Sequence, residues 1–230
     1  MKSQNKKDPN SLEVHDVLES ALQKLWSVAN DLSRIKTEKP QNYRVTIFGS
    51  ARIQPGQALY EEARELAQRL TQMGCDIVTG GGPGLMQAAN EGSHQGDRNN
   101  QSSSIGIRVE LPFEQDVNPF VEELYVHETF FTRLHHFVRL SNAFVILNGG
   151  IGTTLESLLV WQLLQVRHIE NIPLIFVGEM WHDLVKWSKK HMLQQPQLAS
   201  PNDLEIPVCV NTIDQVLEAL TPSIQTFQQS

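Results

Sequence analysis

Two glycine-rich turns in this 230-residue chain have the residue types of a phosphate-binding site. The first turn is Gly80–Gly84 (GGGPG) and the second is Gly149–Thr154 (GGIGTT), and each lies between an apolar run and a run with helical spacing. Glycine lets the backbone approach a ligand closely, and the free N–H groups at the start of a helix point at an anion. The two turns therefore predict that one nucleotide is held between them.

The distribution of lysine and arginine limits the phosphate chemistry that is available. The sequence has no lysine between Lys39 and Lys186, whereas a Walker A loop requires Gly-Lys-Ser/Thr and pyridoxal phosphate requires a lysine for its Schiff base. The turn at 49–52 (GSAR) does not have the G-x-G-x-x-G pattern of a dinucleotide site, so NAD or FAD binding is a weak interpretation. Positive charge for a phosphate must therefore come from arginine. The candidates are Arg52, Arg108, Arg133 and Arg139.

Glu156 and Arg133 each have a catalytic and a structural interpretation. Glu156 lies four residues after Gly152, in the first turn of a predicted helix, where a carboxylate either acts on a ligand or complements the helix dipole. Arg133 is either a solvated arginine on a helix surface or a functional cation that emerges among apolar neighbours such as Phe130 and Leu134. The spacing leaves the choice open for Glu156 and favours a functional role for Arg133.

The composition is that of an acidic globular protein. The formal net charge is −7 at pH 7, and hydrophobic residues make up 40% of the chain. Broad binding to nucleic acid or to a membrane surface needs a basic face, so we expect neither partner. The sequence has no apolar stretch long enough to span a bilayer and no signal-peptide core near Met1, which predicts a cytoplasmic protein.

The cysteines and histidines do not predict a redox or metal centre. Cys75 and Cys209 both fall at predicted strands, which favours buried small hydrophobic residues over a catalytic thiol. His135 and His136 are adjacent and would face different directions on a helix, while His127 lies on the preceding segment. Because the spacing of a metal site is missing, we expect no metal and no cofactor.

The apolar pattern divides the chain into three parts. Residues 1–42 hold a polar tail and an amphipathic helix over about 11–36, residues 43–222 form the main domain, and residues 223–230 form a polar C-terminal tail. In the main domain, apolar strands without clean alternation are separated by helices, which indicates an α/β fold of three layers with a mainly parallel sheet. Ligands bind at the carboxyl ends of such strands. The predicted strands are 43–48, 76–79, 104–109, 124–126, 143–147, 173–177 and 206–210, and the predicted helices are 58–72, 85–92, 129–141, 153–167, 181–193 and 212–220.

The two glycine turns resemble the signatures of the Lonely Guy (LOG) family of nucleotide phosphoribohydrolases, proteins long misannotated as lysine decarboxylases. Thr79–Gly92 (TGGGPGLMQAANEG) resembles the first signature, and Asn148–Glu156 (NGGIGTTLE) resembles the second, P-G-G-x-G-T-x-x-E. Phe48–Arg52 looks like the first turn of the family, while Ile105–Ile107 and Glu110–Gln115 look like its longer bacterial branch. The resemblance covers about residues 43–180 and implies a Rossmann-like catalytic domain, here with an N-terminal helical extension.

The resemblance implies hydrolysis of the N-glycosidic bond of a purine, or cytokinin-type modified purine, nucleoside 5′-monophosphate to free base and ribose 5-phosphate. It identifies Arg133 and Glu156 as the catalytic pair. The residues it implies at the phosphate and substrate are Gly49, Ser50, Gly81, Gly82, Gly84, Met86, Asn90, Gly149, Gly150, Gly152, Thr153 and Thr154. Asn148 stands where the family has proline and Leu134 where it usually has lysine, so a non-catalytic nucleotide sensor or carrier remains the alternative.

The resemblance also implies a homodimer or a higher homo-oligomer, with pockets near the subunit interface. The predicted helix over 11–36 bears on this assembly because its apolar stripe, from Leu18 to Ile35, needs a surface to cover it. That surface belongs either to the same subunit or to a partner, and the sequence does not choose between them.

Overall fold

The computed structural model describes residues 40–110 and 116–229, together with Leu25. The helix predicted over 11–36 therefore lies outside the described residues, apart from Leu25. The same holds for the stretch from Leu111 to Gln115, which includes most of the segment that resembles the longer bacterial branch.

One parallel sheet of seven strands organises the described residues. The strands are β1 (Tyr43–Phe48), β2 (Cys75–Thr79), β3 (Ser104–Val109), β4 (Glu123–His127), β5 (Ala143–Ile146), β6 (Leu174–Val177) and β7 (Val208–Val210). Their order is β4-β3-β2-β1-β5-β6-β7, and every neighbouring pair is parallel. The chain builds outward from β1 to β4 and then crosses back to β5 on the other side of β1. A ligand crevice is expected at the carboxyl ends of β1 and β5, where the direction reverses.

Helices cover both faces of the sheet in the described part of the chain. They are α1 (Ala58–Gln72), α2 (Leu85–Gly96), α3 (Phe130–Leu140), α4 (Ile151–Gln165), α5 (Glu179–Met192) and α6 (Ile213–Gln228). Side chains of α1, α2 and α6, such as Leu66 and Leu220, pack with Val45 in one buried cluster. Side chains of α3, α4 and α5, such as Phe137 and Trp181, form a second cluster on the opposite face. The predicted Rossmann-like α/β fold of three layers is confirmed.

The last helix extends further toward the C-terminus than we predicted. We predicted a helix that ends at Leu220 and a polar tail over 223–230, whereas α6 continues through Pro222 to Gln228. Ile224 is buried, and the ring of Phe227 packs edge-on against Tyr43 with 5.6 Å between centroids. The apolar contacts of this last segment offset the helical hydrogen bond that Pro222 cannot donate.

Close packing between α1 and α2 makes the fold sensitive to one glycine. A Cβ atom at Gly92 would overlap the carbonyl oxygen of Arg64 and lie 2.8 Å from its carbonyl carbon. Both atoms belong to the backbone of α1, so a larger residue can be accommodated only if the helices separate.

We expect Gly92→Ala to lower the free energy of unfolding by about 3 kcal/mol because of this overlap. A loss of that size lowers Tm by about 6–12 °C in a chain of this length. Thermal denaturation followed by circular dichroism measures the shift. His94→Ala is the matched control, since His94 lies on the same helix with its side chain 65% exposed. A Gly92→Ala protein that melts with the His94→Ala control would contradict the packing argument.

Candidate active site

The turns that follow β1, β2 and β5 meet at the carboxyl edge of the sheet and enclose a cavity of about 730 Å³. The backbone of Ser50 joins them, because its N–H donates to Asn148 O (3.0 Å) and its carbonyl accepts from Leu85 N (2.9 Å). The structure thus brings together the two predicted glycine turns and the turn at 49–52. The described lining residues are Gly49, Ser50, Ala51, Arg52, Gly80, Gly81, Gly82, Pro83, Met86, Arg108, Val109, Phe130, Arg133, Leu134, Gly150, Ile151, Gly152, Thr153, Leu155 and Glu156.

Arg133 and Glu156 form an ion pair on the wall of this cavity. Arg133 lies in the first turn of α3, and its Nη1 atom is 2.6 Å from Glu156 Oε1 on α4. The Nε atom of Arg133 donates to Ile107 O in β3 (2.8 Å), and its guanidinium lies 5.0 Å from the centroid of the Phe137 ring. The side chains of Arg133 and Glu156 are only 11% and 13% exposed. Arg133 is therefore not a solvated surface arginine.

The position of Glu156 within α4 weakens the helix-dipole interpretation. The helix begins at Ile151, two residues before the predicted start, so Glu156 is its sixth residue and lies in the second turn. The dipole acts mainly on charges within the first turn. The nearby cation of Arg133 is the stronger electrostatic partner.

Burial raises the pKa of the Glu156 carboxyl above its ordinary value, and the charge and hydrogen bond of Arg133 oppose that rise. Burial raises the pKa because it disfavours the charged form of a carboxyl group. A carboxyl group whose pKa is moved toward neutrality can accept a proton and still carry charge near physiological pH. Because perturbed pKa values cluster at functional sites, this environment makes Glu156 a candidate for a catalytic carboxylate.

The absence of a side chain at Gly80 makes room for the arginine of this pair. A Cβ atom there would lie 2.6 Å from Arg133 Nη2 and 2.6 Å from Met86 Sδ. Gly80 was missing from the predicted binding residues, although its place in the run of three glycines was a signal for it.

The cavity carries positive charge within an acidic chain. Arg52, Arg108 and Arg133 line it together with Glu156, whereas the whole chain has a formal net charge of −7. Of the four arginines predicted to meet a phosphate, Arg139 is exposed and lies outside the described lining. The excess of arginine favours an anionic ligand.

Apolar side chains form a further part of the wall, and the sequence analysis did not predict this role for them. Phe130, Leu134 and Leu155 line the cavity beside Met86, and Phe130 remains partly exposed. The sequence signal for this role was that apolar residues flank Arg133 and Glu156. An exposed aromatic face beside a cation-lined pocket suits a ligand that has both a flat ring and an anionic group.

Four of the predicted phosphate residues, Gly84, Asn90, Gly149 and Thr154, lie outside the described lining of the cavity. Gly84 is the N-cap of α2, and Gly149 packs against the side chain of Thr153. The hydroxyl of Thr154 donates to Gly150 O (3.0 Å). Asn90 is fully buried and bonds to other side chains beneath the first turn. These residues shape the turns and do not face the cavity.

The cysteines and histidines lie away from the cavity lining in the described structure. Cys75 is buried, which raises the pKa of its thiol to about 12. His127 Nε2 and His136 Nδ1 lie 2.9 Å apart, and burial lowers the pKa of His136 to about 4. Among the described residues, no group of three or more potential ligands could hold a metal ion, and none of the helices is long and apolar enough to cross a membrane.

Comparison with protein families identifies the type of protein that carries this cavity. A family model described as possible lysine decarboxylase matches residues 86–220, which is more than half of the chain. The chain belongs to this family. The LOG assignment that rested on the two glycine signatures is thereby confirmed.

Two curated relatives extend the comparison beyond the family model. A pyrimidine/purine nucleotide 5′-monophosphate nucleosidase from Escherichia coli K12 is 31% identical to this chain over 140 residues. The match covers 58% of this chain and 30% of that protein. A probable cytokinin riboside 5′-monophosphate phosphoribohydrolase from Oryza sativa subsp. japonica is 26% identical over 181 residues, which are 77% of this chain and 70% of that one. The alignment thus spans less than a third of the length of the Escherichia coli relative.

Solved structures with the same fold include proteins that are named for other roles. A Moco carrier protein from Chlamydomonas reinhardtii has a TM-score of 0.58 and 18% identity, and the match covers 81% of this chain and 99% of that one. A molybdenum cofactor binding protein from Rippkaea orientalis has a TM-score of 0.60 and 17% identity over the same shares of the two chains. At this level of identity the likeness establishes the shared fold.

Proposed function

We propose that this protein hydrolyses the N-glycosidic bond of a nucleoside 5′-monophosphate and releases the free base and ribose 5-phosphate. The observation that carries the proposal is the buried Arg133–Glu156 pair on the wall of an arginine-lined cavity. The names of the two curated relatives describe this class of reaction. A decarboxylase based on pyridoxal phosphate has less support, since the described lining contains no lysine.

The cavity offers separate environments for the three parts of a nucleotide. The first residues of α4, Ile151, Gly152 and Thr153, line it and bring the N-terminal end of a helix to the phosphate. The apolar side chains around Phe130 suit a base. We assign the base to the purines or their modified forms, because a fused ring gives the larger surface for stacking on an aromatic side chain.

Glu156 acts at the ribose in this mechanism. As the C1′–N bond breaks, the ribose develops positive charge, which an ionised carboxylate stabilises more in the transition state than in the ground state. The oxygen of a water molecule forms the new bond to C1′, and Glu156 accepts the proton that the water loses. The base leaves with the electron pair of the broken bond and takes a proton from the solvent, to which Glu156 returns the proton that it accepted from the water. Arg133 keeps Glu156 ionised and oriented through their ion pair.

The test is the incubation of the purified protein with a panel of nucleoside 5′-monophosphates and chromatography of the products. We expect equal amounts of free base and ribose 5-phosphate from purine nucleotides, and none from the corresponding nucleosides without phosphate. Leu134, which lines the cavity where the family usually has lysine, favours the alternative of a nucleotide sensor or carrier. Nucleotide binding without release of any base would establish that alternative.

The pH dependence of turnover follows from the environment of Glu156. The mechanism needs the ionised carboxylate, and burial raises its pKa, so kcat/KM should rise with pH through an apparent pKa above the ordinary glutamate value of about 4.3. The substrate phosphate also titrates near pH 6. The inhibition constant of ribose 5-phosphate, measured over the same pH range, therefore serves as the control. The assignment to Glu156 would be contradicted if the apparent pKa of the acid limb lies at or below the ordinary glutamate value. It would also be contradicted if the inhibition constant changes with pH in the same way as kcat/KM.

We propose further that the protein is a homodimer that pairs through the outer face of α3 and α4. Phe131 on α3 and Ile151 on α4 are 84% and 88% exposed. Leu155 and Leu158 are also exposed, and their spacing of four and three residues puts them on one face of α4 with Ile151. Because Ile151 and Leu155 line the cavity as well, a second copy on this face would lie beside it. Exposed apolar side chains that share a helix face mark an interaction surface.

Leu158→Asp should shift the protein from dimer to monomer, since it puts a charge into the proposed apolar interface. Light scattering coupled to size-exclusion chromatography measures the mass. Val208→Asp, at an exposed apolar residue on the edge strand β7, is the matched control and should leave the mass unchanged. A wild-type protein that is already monomeric at micromolar concentration would refute the dimer.

A further inference from the structure

Asn118 joins the segment between β3 and β4 to the first glycine turn. The residue is 5% exposed and lies behind that turn, outside the described lining of the cavity. Its backbone N–H donates to Gly81 O (3.0 Å), and its side-chain Nδ2 donates to Gly82 O (3.0 Å). Two consecutive carbonyl groups of the turn are therefore held by one residue.

The side chain of Asn118 has its hydrogen-bonding capacity occupied. The second hydrogen of Nδ2 is donated to Asn90 Oδ1 (3.0 Å), and Oδ1 accepts from Phe120 N (3.1 Å). Asn90 is fully buried; its Nδ2 donates to Ser104 Oγ (2.9 Å), and its Oδ1 also accepts from Thr79 Oγ1 (2.6 Å). A buried network in which the donors and acceptors are paired is rigid and holds its members in one arrangement.

This network sets the direction of the backbone N–H groups in the turn. The C=O and N–H bonds of a trans peptide point in opposite directions. Because Gly81 O is bound to Asn118, the N–H of Gly82 in the same peptide points away from Asn118, toward the cavity that Gly82 lines. The N–H of Gly81, in contrast, donates to Thr79 Oγ1 (3.0 Å) and so faces inward. Gly82 and not Gly81 then offers its amide to an anion.

We propose that Asn118 is a positioning residue that orients the Gly82 amide toward the phosphate of the substrate. This inference rests on the proposed function for the identity of the anion, and on the hydrogen bonds of the turn for its direction. When the donor is held in place before the ligand arrives, the binding free energy is not reduced by the cost of reorganising the turn. Removal of the Asn118 side chain leaves Gly82 O without its donor and breaks the link to Asn90. The segment then holds the turn only through the backbone N–H of Asn118, so the amides of the turn can rotate.

Calorimetric titration with ribose 5-phosphate tests this role without any turnover. Asn118→Ala and Asn118→Asp both lose the donation to Gly82, while the aspartate keeps an oxygen for Phe120 N. We expect both variants to bind ribose 5-phosphate about tenfold more weakly, the effect of about one lost hydrogen bond. Asn142→Ala is the control, since it loses the bond from Arg44 N (2.9 Å) at the opposite end of the sheet. It should lower Tm without a change in affinity.

Thr79 supplies a second variant pair that does not depend on the folding of the Asn118 variants. Thr79→Val removes the hydroxyl that holds Gly81 N–H and Asn90, whereas Thr79→Ser retains it. We expect weaker binding of ribose 5-phosphate to the valine variant and recovery in the serine variant. If the wild type binds no ribose 5-phosphate, or if folded Asn118 and Thr79→Val variants bind it as the wild type does, the positioning role is overturned. The proposed function would fail in a different way: the protein would bind ribose 5-phosphate but release no base from any nucleotide.

Discussion

Glu156→Gln should lower kcat by about a hundredfold or more, while the Kd for a nucleoside monophosphate changes little. Glutamine has the shape of glutamate but no negative charge, so it can neither stabilise the positive charge on the ribose nor accept the proton of the attacking water. Electrostatic groups of this kind contribute several kcal/mol to the transition state. In the proposed mechanism the substrate phosphate is bound elsewhere in the cavity, by backbone amides and arginines of the lining, which explains the small effect on binding.

Single-turnover release of base and equilibrium binding of the same nucleotide separate the two quantities. Glu65→Gln on the exposed side of α1 is a matched control, since it makes the same chemical change away from the cavity. If Glu156→Gln retains most of the wild-type turnover, Glu156 is a structural partner of Arg133 and the mechanism is wrong.

Arg133→Ala should lower kcat/KM by about a hundredfold or more and should move the acid limb of the pH profile to higher pH. The arginine holds the pKa of the Glu156 carboxyl down against the effect of burial. Without it, the buried carboxyl is protonated over a wider pH range and loses its orientation, since an unpaired buried charge is strongly unfavourable. The same variant removes one of the three cations in the described lining, so KM for the nucleotide should rise as well.

Arg133→Lys should recover only a small part of this loss. The guanidinium binds Ile107 O through Nε and Glu156 through Nη1 at the same time, and a single ammonium group cannot occupy both places. Arg139→Ala is the matched control on the same helix, at an exposed residue outside the described lining. Kinetics of Arg133→Ala that match those of Arg139→Ala would show that neither phosphate binding nor the ionisation of Glu156 depends on Arg133.

Local sequence patterns were sufficient to predict most of the secondary structure and the edge of the sheet where the cavity lies. The bounds of β1, β3 and α1 match the predicted 43–48, 104–109 and 58–72. These elements have a dense apolar pattern and clear end signals; for example, Gly74 follows α1 with φ +83°, the backbone conformation that often ends a helix. The two glycine turns were found in the same way, because their composition follows from the approach of backbone to an anion. Parallel strands then bring their carboxyl ends to one edge.

The direction of each side chain could not be derived from the same patterns. The family resemblance placed Gly81 and Asn90 at the phosphate and substrate, yet Asn90 lies beneath the turn and the N–H of Gly81 donates inward to Thr79. Asn118, which holds the turn from behind, was not predicted. Its partners include the turn after β2 and Asn90 on α2. Asn90 in turn bonds to β2 and β3, so the role of Asn118 depends on contacts that are formed only when these elements are packed together.

The sequence by itself therefore determined the fold class, the family and the edge of the sheet where the cavity lies, since each depends on local composition and on the alternation of strands and helices. Only the tertiary structure showed that Glu156 and Arg133 form a buried ion pair, which weakens the helix-dipole interpretation of Glu156 and excludes a solvated surface position for Arg133. The two residues are 23 positions apart, on different helices, and they meet because α3 and α4 pack on the same face of the sheet. Burial of that contact gives the pair its electrostatic properties, and burial depends on how separate elements pack.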